Sequence, residues 1–280
     1  MPTDTMPSGF LRHLRACNNA RLPGGRIAFF IGTSQVGWLK PAVADALRGF
    51  PGVTPLGDGL SLTDPDSLPN IAKTLAERGF YRFRREAFDV RATPEGPALA
   101  QIDRGALPSF GVQAVGVHVN GLVTTPGGMH LWVARRARDK LLDPGKLDHI
   151  VAGGVPAALT PDETLVKEAA EEAAIPRSLA AQARHVATIG YAMERPEGLR
   201  RDILHCYDLH LPSDFRPHAA DGEVEEFALW PLQRVADTVA AGDEFKFNVN
   251  LVLIDLFIRR GLVAEAQIAP LRAELTGLAG

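Results

Sequence analysis

The sequence is poor in cysteine: two, Cys17 and Cys206, in 280 residues. They lie far apart and without CxxC spacing, which excludes a cysteine zinc site and a disulfide framework and fits a reducing compartment. Long apolar runs are also missing. The best stretch, Asn248–Ile258, is broken by Asp255, so nothing approaches the roughly 18 uncharged apolar residues of a membrane span. The amino terminus has no apolar segment of secretory type. Positive charge is not in excess: net charge is −3 and the pI near 6.2, which provides no broad basic surface for nucleic acid or anionic lipid. Arg82, Arg84 and Arg85 form a local basic group, but Tyr81, Phe83 and Glu86 interleave with them, in the manner of a strand face. These absences lead us to expect a cytoplasmic protein without membrane or nucleic-acid partners.

Several chemistries lack their residues. The eight histidines show no ligand spacing, and His205 and His210 fall on opposite faces of a strand-like run. Gly145-Lys146 lacks the earlier glycine and the following Ser/Thr of a phosphate-binding P-loop. No GxSxG motif and no internal repeat occur.

What is present is 46% hydrophobic and 22% charged residues, enough for a sizeable core, and a length that favours two domains. Residues 10 to about 90 mix strand and helix patterns. Arg26–Gly32 reads as a strand, Lys40–Phe50 as a helix opened by Pro41, Asp64–Phe80 as a helix stopped at Gly79, and Tyr81–Ala92 as a half-buried strand. A loop-like stretch near Asp103–Gly111 marks a boundary. Beyond Val112, two β-rich runs flank the turn sequence TTPGG, and a second pair flanks RPEGLR. One helix between the strand pairs and two after the last strand predict an α/β/α sandwich around a mixed sheet. The expected organisation is an α/β protein: a small α/β accessory domain at 1–105, then a catalytic domain at 106–280.

One helix carries the chemistry. Thr160 is a good N-cap, Pro161 suits the first turn, and Glu163 completes a capping box; Pro176 stops the helix near Ala174. Glu168, Glu171 and Glu172 then stand at i, i+3 and i+4 on one face. Like charges so placed destabilise a helix by about 0.2–0.5 kcal/mol per pair, and only Lys167 nearby opposes them. A solvated acidic face is the plain reading; a hard cation such as Mg²⁺, which takes oxygen ligands, is the functional one. The approach to the helix, a strand, Gly153-Gly154 and a loop, favours the second.

The segment AGGVPAALTPDETLVKEAAEEAAI resembles the signature of the Nudix hydrolases, G-x5-E-x7-R-E-U-x-E-E-x-G-U, with U aliphatic. Lys167 stands for Arg, Glu168, Glu171 and Glu172 keep the metal-binding acids, Ala174 stands for the late Gly, and Leu159 or Thr160 occupies the place of the first Glu. The wider order of segments is similar to a branch with an extra amino-terminal domain, related to Nudix proteins joined to thiamine pyrophosphokinase. The resemblance implies cleavage of a small-molecule diphosphate with Mg²⁺, or Mn²⁺ in its place. The implied substrate class is thiamine diphosphate or its oxidised and damaged analogues. A nucleotide-sugar or nucleoside-diphosphate hydrolase, and a non-catalytic ligand sensor, are the competing readings. On this reading Glu168, Glu171 and Glu172 hold metal, Glu171 foremost or Glu168 serves as base, and Glu223 from DGEVEEF completes the site. Arg135, Arg136 and Lys140 are candidates for the diphosphate, Gly153 and Gly154 for close backbone approach, and Tyr191 for packing on the substrate ring. Monomer and homodimer are both open.

Overall fold

The computed structural model describes residues 9–219 and 222–276. Helix α1 (Gly9–Cys17) leads into a small sheet of β1 (Ile27–Ile31), β2 (Ser34–Leu39), β3 (Val53–Leu56) and β4 (Gly59–Leu62), in the order β2-β1-β4-β3 with β1 and β4 parallel. Helices α2 (Pro41–Leu47) and α3 (Leu68–Glu77) pack on it through Val43, Leu47, Ile71 and Leu75. A hairpin of β5 (Ala87–Val90) and β6 (Ala100–Asp103) and the short helix α4 (Leu107–Phe110) complete this unit and bury Phe88, Ile102 and Phe110 in the same core.

Two expectations need correction here. The helix expected over Asp64–Phe80 begins as a 3-10 turn at Pro65–Ser67 before α3. The strand expected over Tyr81–Ala92 shrinks to β5, because the buried carboxylate of Asp103 accepts hydrogen bonds from the backbone of Arg84 (2.9 Å) and Glu86 (3.3 Å) and pulls that segment into a loop. Local side-chain capture of backbone N–H groups outcompetes a ladder that has no partner strand there.

The larger sheet contains β7 (Gln113–Thr125), β8 (Gly128–Arg136), β9 (Leu147–His149), β10 (Val151–Gly154), β11 (Arg184–Arg195), β12 (Gly198–His210) and β13 (Val224–Pro231). Its main order is β11-β12-β7-β8-β13; β12 and β7 run parallel and the other neighbours antiparallel, which makes the sheet mixed. Strand β7 is shared lengthwise: residues 116–119 pair with β10 and residues 122–125 with β8.

Both faces of this sheet are covered. Helices α5 (Pro161–Ala173) and α6 (Arg177–Ala180) bury Leu165, Ala169, Ala173 and Ala180 against Val117, Val119, Tyr207 and Leu209. On the opposite face α7 (Leu232–Ala241), α8 (Val249–Arg259) and α9 (Glu265–Thr276) pack on Leu122, Leu131, Leu204 and Cys206. Helix α1, inside the stretch expected to belong wholly to the accessory domain, is instead part of this second helical layer. It buries Phe10, Leu14 and Cys17 there, and its His13 ring pairs with the Val239 carbonyl at 2.8 Å. Among the described residues no helix is long and apolar enough to cross a membrane.

The start of α5 follows local chemistry. Thr160 Oγ1 accepts from the Glu163 N–H at 3.2 Å and Glu163 accepts from the Thr160 N–H at 2.9 Å, a capping box. At its end Ala174 is left-handed (φ 53°), and the Ile175 N–H reaches back to the Ala169 carbonyl at 2.9 Å.

Candidate functional site

Helix α5 lies with its glutamates against the Gly153-Gly154 end of β10. A Cβ on Gly153 would sit 2.7 Å from Glu168 Cγ, so the missing side chain is what lets the Glu168 stem lie on the strand. Glu172 is buried and accepts the Ala152 N–H at 2.9 Å. Glu171 turns outward; its side chain is 51% exposed and takes Lys167 Nζ at 2.7 Å. Lys167 also reaches Glu168 at 3.0 Å, so the opposing charge that seemed too little in the sequence is shared by two of the three acids. The third has no such partner.

Glu223 reaches the same place from β13. A bulge between Val224 and Glu226 interrupts the regular strand alternation at this edge. Glu225 turns to Arg138, Glu226 to Arg135, and Glu223 forms a close ion pair with Lys140. A small recess is lined jointly by Glu172, Glu223, Asp148, His149 and Arg136. Burial pushes Glu168 above the usual carboxylate range, with Glu171 and Glu223 adding to it and Lys167 opposing. Burial pushes Glu172 well above that range, reinforced by Asp148, Glu168 and Glu223. Carboxyl groups crowded together in low dielectric disfavour one another's ionised form.

Beside them opens a cavity of about 800 Å³, within the range of small-molecule sites. Its walls come from both units: Arg84 and Phe88 from the accessory unit, and Arg136, Lys140, Gly153-Gly154, Arg201 and Lys246 from the other. Basic side chains outnumber acidic ones around it, ten to four.

Of the expected substrate contacts, Arg136, Lys140, Gly153 and Gly154 line this space. Arg135 does not; its guanidinium is held by Glu226 at 2.8 Å and the Gly145 carbonyl at 3.0 Å. Tyr191 is a correction. Its ring is buried in the core against Phe247 and its hydroxyl donates to Asp202 in a short hydrogen bond, so it cannot pack on a ligand in the cavity.

The fold also gathers residues that sequence spacing kept apart. His118 and His149 meet through their Nδ1 atoms at 3.0 Å beside Asp148, and one ligating atom from each of the three lies within 4.8 Å of the others. As a metal site this group is compromised: Asp148 is already held by Arg136 at 2.7 Å and Lys246 at 3.6 Å. Burial drives His149 down to about 4 and His118 well below its ordinary value. Lys246 was missed too. Its signal is a lysine between Phe245 and Phe247, a charge set among side chains that burial demands be apolar.

A family model described as NUDIX domain matches residues 115–249, from within β7 to the first residue of α8. The chain is similar to two Arabidopsis thaliana proteins. Nudix hydrolase 24, chloroplastic, is 36% identical over 269 residues, which cover 91% of this chain and 74% of that protein. Nudix hydrolase 20, chloroplastic, is 34% identical over 276 residues with the same shares. Among solved structures, one from Deinococcus radiodurans has a TM-score of 0.48 and 22% identity, covering 61% of this chain and 98% of that one.

Proposed function

From the premise that this chain belongs to the Nudix hydrolase family and is an enzyme of that family, we propose that it is a Mg²⁺-dependent hydrolase of an organic diphosphate, releasing the monophosphate and phosphate. The substrate on this reading is thiamine diphosphate or, preferentially, its oxidised analogues. One observation carries the reading: Glu223 lines a mainly cationic cavity, and Glu168 and Glu172 lie directly on its lining residues Gly153 and Ala152. A hard cation and an anionic substrate would each find their complement there.

The donor set fits Mg²⁺. Its atoms are carboxylate oxygens, and the buried Glu172 sits among Asp148, Glu168 and Glu223, where a divalent ion would favour the ionised form. Glu168, Glu172 and Glu223 would hold it, and Glu171, turned outward onto Lys167, is the least well placed of the four expected ligands. When bound, the ion supplies charge neutralisation at phosphate oxygens and acidifies a ligated water.

The chain's own residues do the rest. Glu168, half-buried against the cavity-lining Gly153, is better seated than the exposed Glu171 to take the proton of the attacking water at a carboxylate oxygen. Arg136 and Lys140 line the cavity, but Arg136 is committed to Asp148 and to the Asp143 and Leu142 carbonyls and Lys140 to Glu223, so they bring positive charge to the diphosphate's surroundings rather than a free guanidinium fork. The accessory unit lines one side of the cavity through Arg84, Phe88 and Arg104. The cationic walls also support a preference within the thiamine class: a thiazolium carries positive charge into them, whereas an oxidised, neutral ring does not.

The test is a substrate panel with Mg²⁺ or Mn²⁺: thiamine diphosphate, its oxidised analogue, nucleotide sugars and nucleoside diphosphates, with monophosphate and phosphate measured. Fastest turnover of the oxidised analogue, abolished by EDTA, is expected. Turnover of nucleotide sugars alone would remove the thiamine assignment. No turnover together with ligand-induced thermal stabilisation would point to a sensor.

A further inference from the structure

We infer that Arg84, on the accessory unit, is a phosphate-binding residue of the site on the other unit, so that the diphosphate subsite is completed across the two. The inference rests on the diphosphate reading above and adds a ligand to it.

The first observation is an unanswered charge. Arg84 lines the cavity, yet its guanidinium makes no ion pair or hydrogen bond among the described residues. Arg84 is an exposed residue; partial desolvation lowers its proton affinity, and the like charges of Arg82 and Arg104 lower it further, against weaker support from Asp103 and Glu86. Neighbouring Arg104 is used differently: it pairs with Glu86 at 2.9 Å and lies over the Phe88 ring. Arg201, partly buried, also lines the cavity with no carboxylate partner among the described residues, donating only to the Gly111 carbonyl at 3.3 Å. Two arginines without carboxylate partners among the described residues line one mainly cationic space, an arrangement complementary to an anion.

The second observation is that the loop carrying Arg84 is built rigidly. The buried carboxylate of Asp103 accepts from three backbone N–H groups, those of Arg84 (2.9 Å), Glu86 (3.3 Å) and Gly105 (2.8 Å). Between the first two, Arg85 is held left-handed at φ 61°, a conformation that costs a non-glycine residue and persists only when its surroundings over-determine it.

The third observation ties this loop to the glutamates. The Ala157 N–H, on the connection between β10 and α5, donates to the Ala87 carbonyl at 2.8 Å. The Phe88 ring occupies the space over Gly154, where a Cβ would come within 2.6 Å of it. Arg84 is three residues from Ala87, a backbone span of at most about 10 Å. The backbone from which the Arg84 side chain extends is therefore anchored to the strand and loop that seat Glu168 and Glu172. Arg84 and Gly153, on which the Glu168 stem lies, line the same cavity.

The full-length Arg84→Gln and Arg84→Lys variants test this with two readouts. In steady-state hydrolysis Arg84→Gln should raise KM ~10–100-fold, as for loss of a charged hydrogen bond, with kcat within about twofold of the original; Lys should recover part of the loss. In calorimetric titration with methylenediphosphonate and Mg²⁺, affinity should fall by a similar factor. Unchanged KM and unchanged methylenediphosphonate affinity in Arg84→Gln overturn the inference. So does a joint collapse of kcat and melting temperature, which would make Arg84 structural. If the unaltered protein turns over no diphosphate but binds methylenediphosphonate in an Arg84-dependent manner, the hydrolase reading fails while the phosphate ligand stands.

Discussion

The paired imidazoles of His118 and His149 make stability depend on pH in a calculable way. An unfolded histidine titrates near 6.5, whereas burial holds His149 at about 4 and His118 well below its ordinary value. Both are neutral in the fold. Between about 4 and 6.5 the unfolded chain binds protons that the folded chain refuses, so unfolding becomes easier as pH falls. The stability is fully present above the unfolded value and drains away as pH drops toward about 4. For His149 alone, moving from pH 7 to pH 5 should remove roughly 2 kcal/mol, and His118 acts in the same direction. That is a large part of a typical 5–15 kcal/mol total. Glu172 works the other way, because burial favours its protonated form in the fold; it therefore stabilises at low pH and loses that contribution as pH rises. The raw slope mixes the two effects, and the comparison with a variant separates them. Urea unfolding of the original chain and of His149→Gln at pH 7 and pH 5 should show a difference in pH sensitivity of about 2 kcal/mol, whatever the variant's baseline. Equal sensitivity in both would refute the claim that the buried imidazole stays uncharged.

Three further outcomes follow from the site and its supporting turns. Glu168→Gln should lower turnover by ~100–10,000-fold without loss of fold, and by more than Glu171→Gln, since only the first carboxylate lies against the cavity wall; the reverse ranking in steady-state kinetics would transfer the base role to Glu171. Gly153→Ala should cut activity sharply while the chain stays folded, because its new methyl would stand 2.7 Å from Glu168 Cγ and displace that carboxylate; full activity would mean the close approach is not needed. Ala174→Gly should stabilise by roughly 0.5–1 kcal/mol, as the left-handed φ of 53° is free of steric penalty only for glycine; an unchanged or lower unfolding midpoint would argue against strain at that turn.

The parts legible in the sequence are those fixed by near neighbours. Thr160, Pro161 and Glu163 state where α5 begins, and the spacing of Glu168, Glu171 and Glu172 states that they share a helix. Hairpins at Pro126-Gly127 and Pro196-Glu197 were visible for the same reason. What was hidden depends on residues distant in the chain. Tyr191 looked like a ring-packing candidate because nothing near it reveals Asp202 across the β11–β12 ladder. The Arg82–Arg85 run looked like a strand because Asp103, which captures its backbone, lies 19 residues from Arg84. Outward-facing Glu171 could not be told from Glu168, since i and i+3 share a face and only the position of Gly153 separates them. The placement of α1 was equally unreadable. The carbonyls that Arg12 reaches, those of Val239 and Gly242, are 227 and 230 residues away.

That placement bears on any attempt to study the two units apart. Removing everything before residue 106 would do more than strip the roof from the cavity; it would pull Phe10, Leu14 and Cys17 out of the groove they fill against α8 and its neighbours. The small sheet is thus an excursion of the polypeptide between two stretches of a single body, pinned at both points where it leaves and returns. Dissection would have to excise the middle and rejoin the flanks, and a crude amino-terminal deletion that fails to fold would say nothing about what the roof recognises.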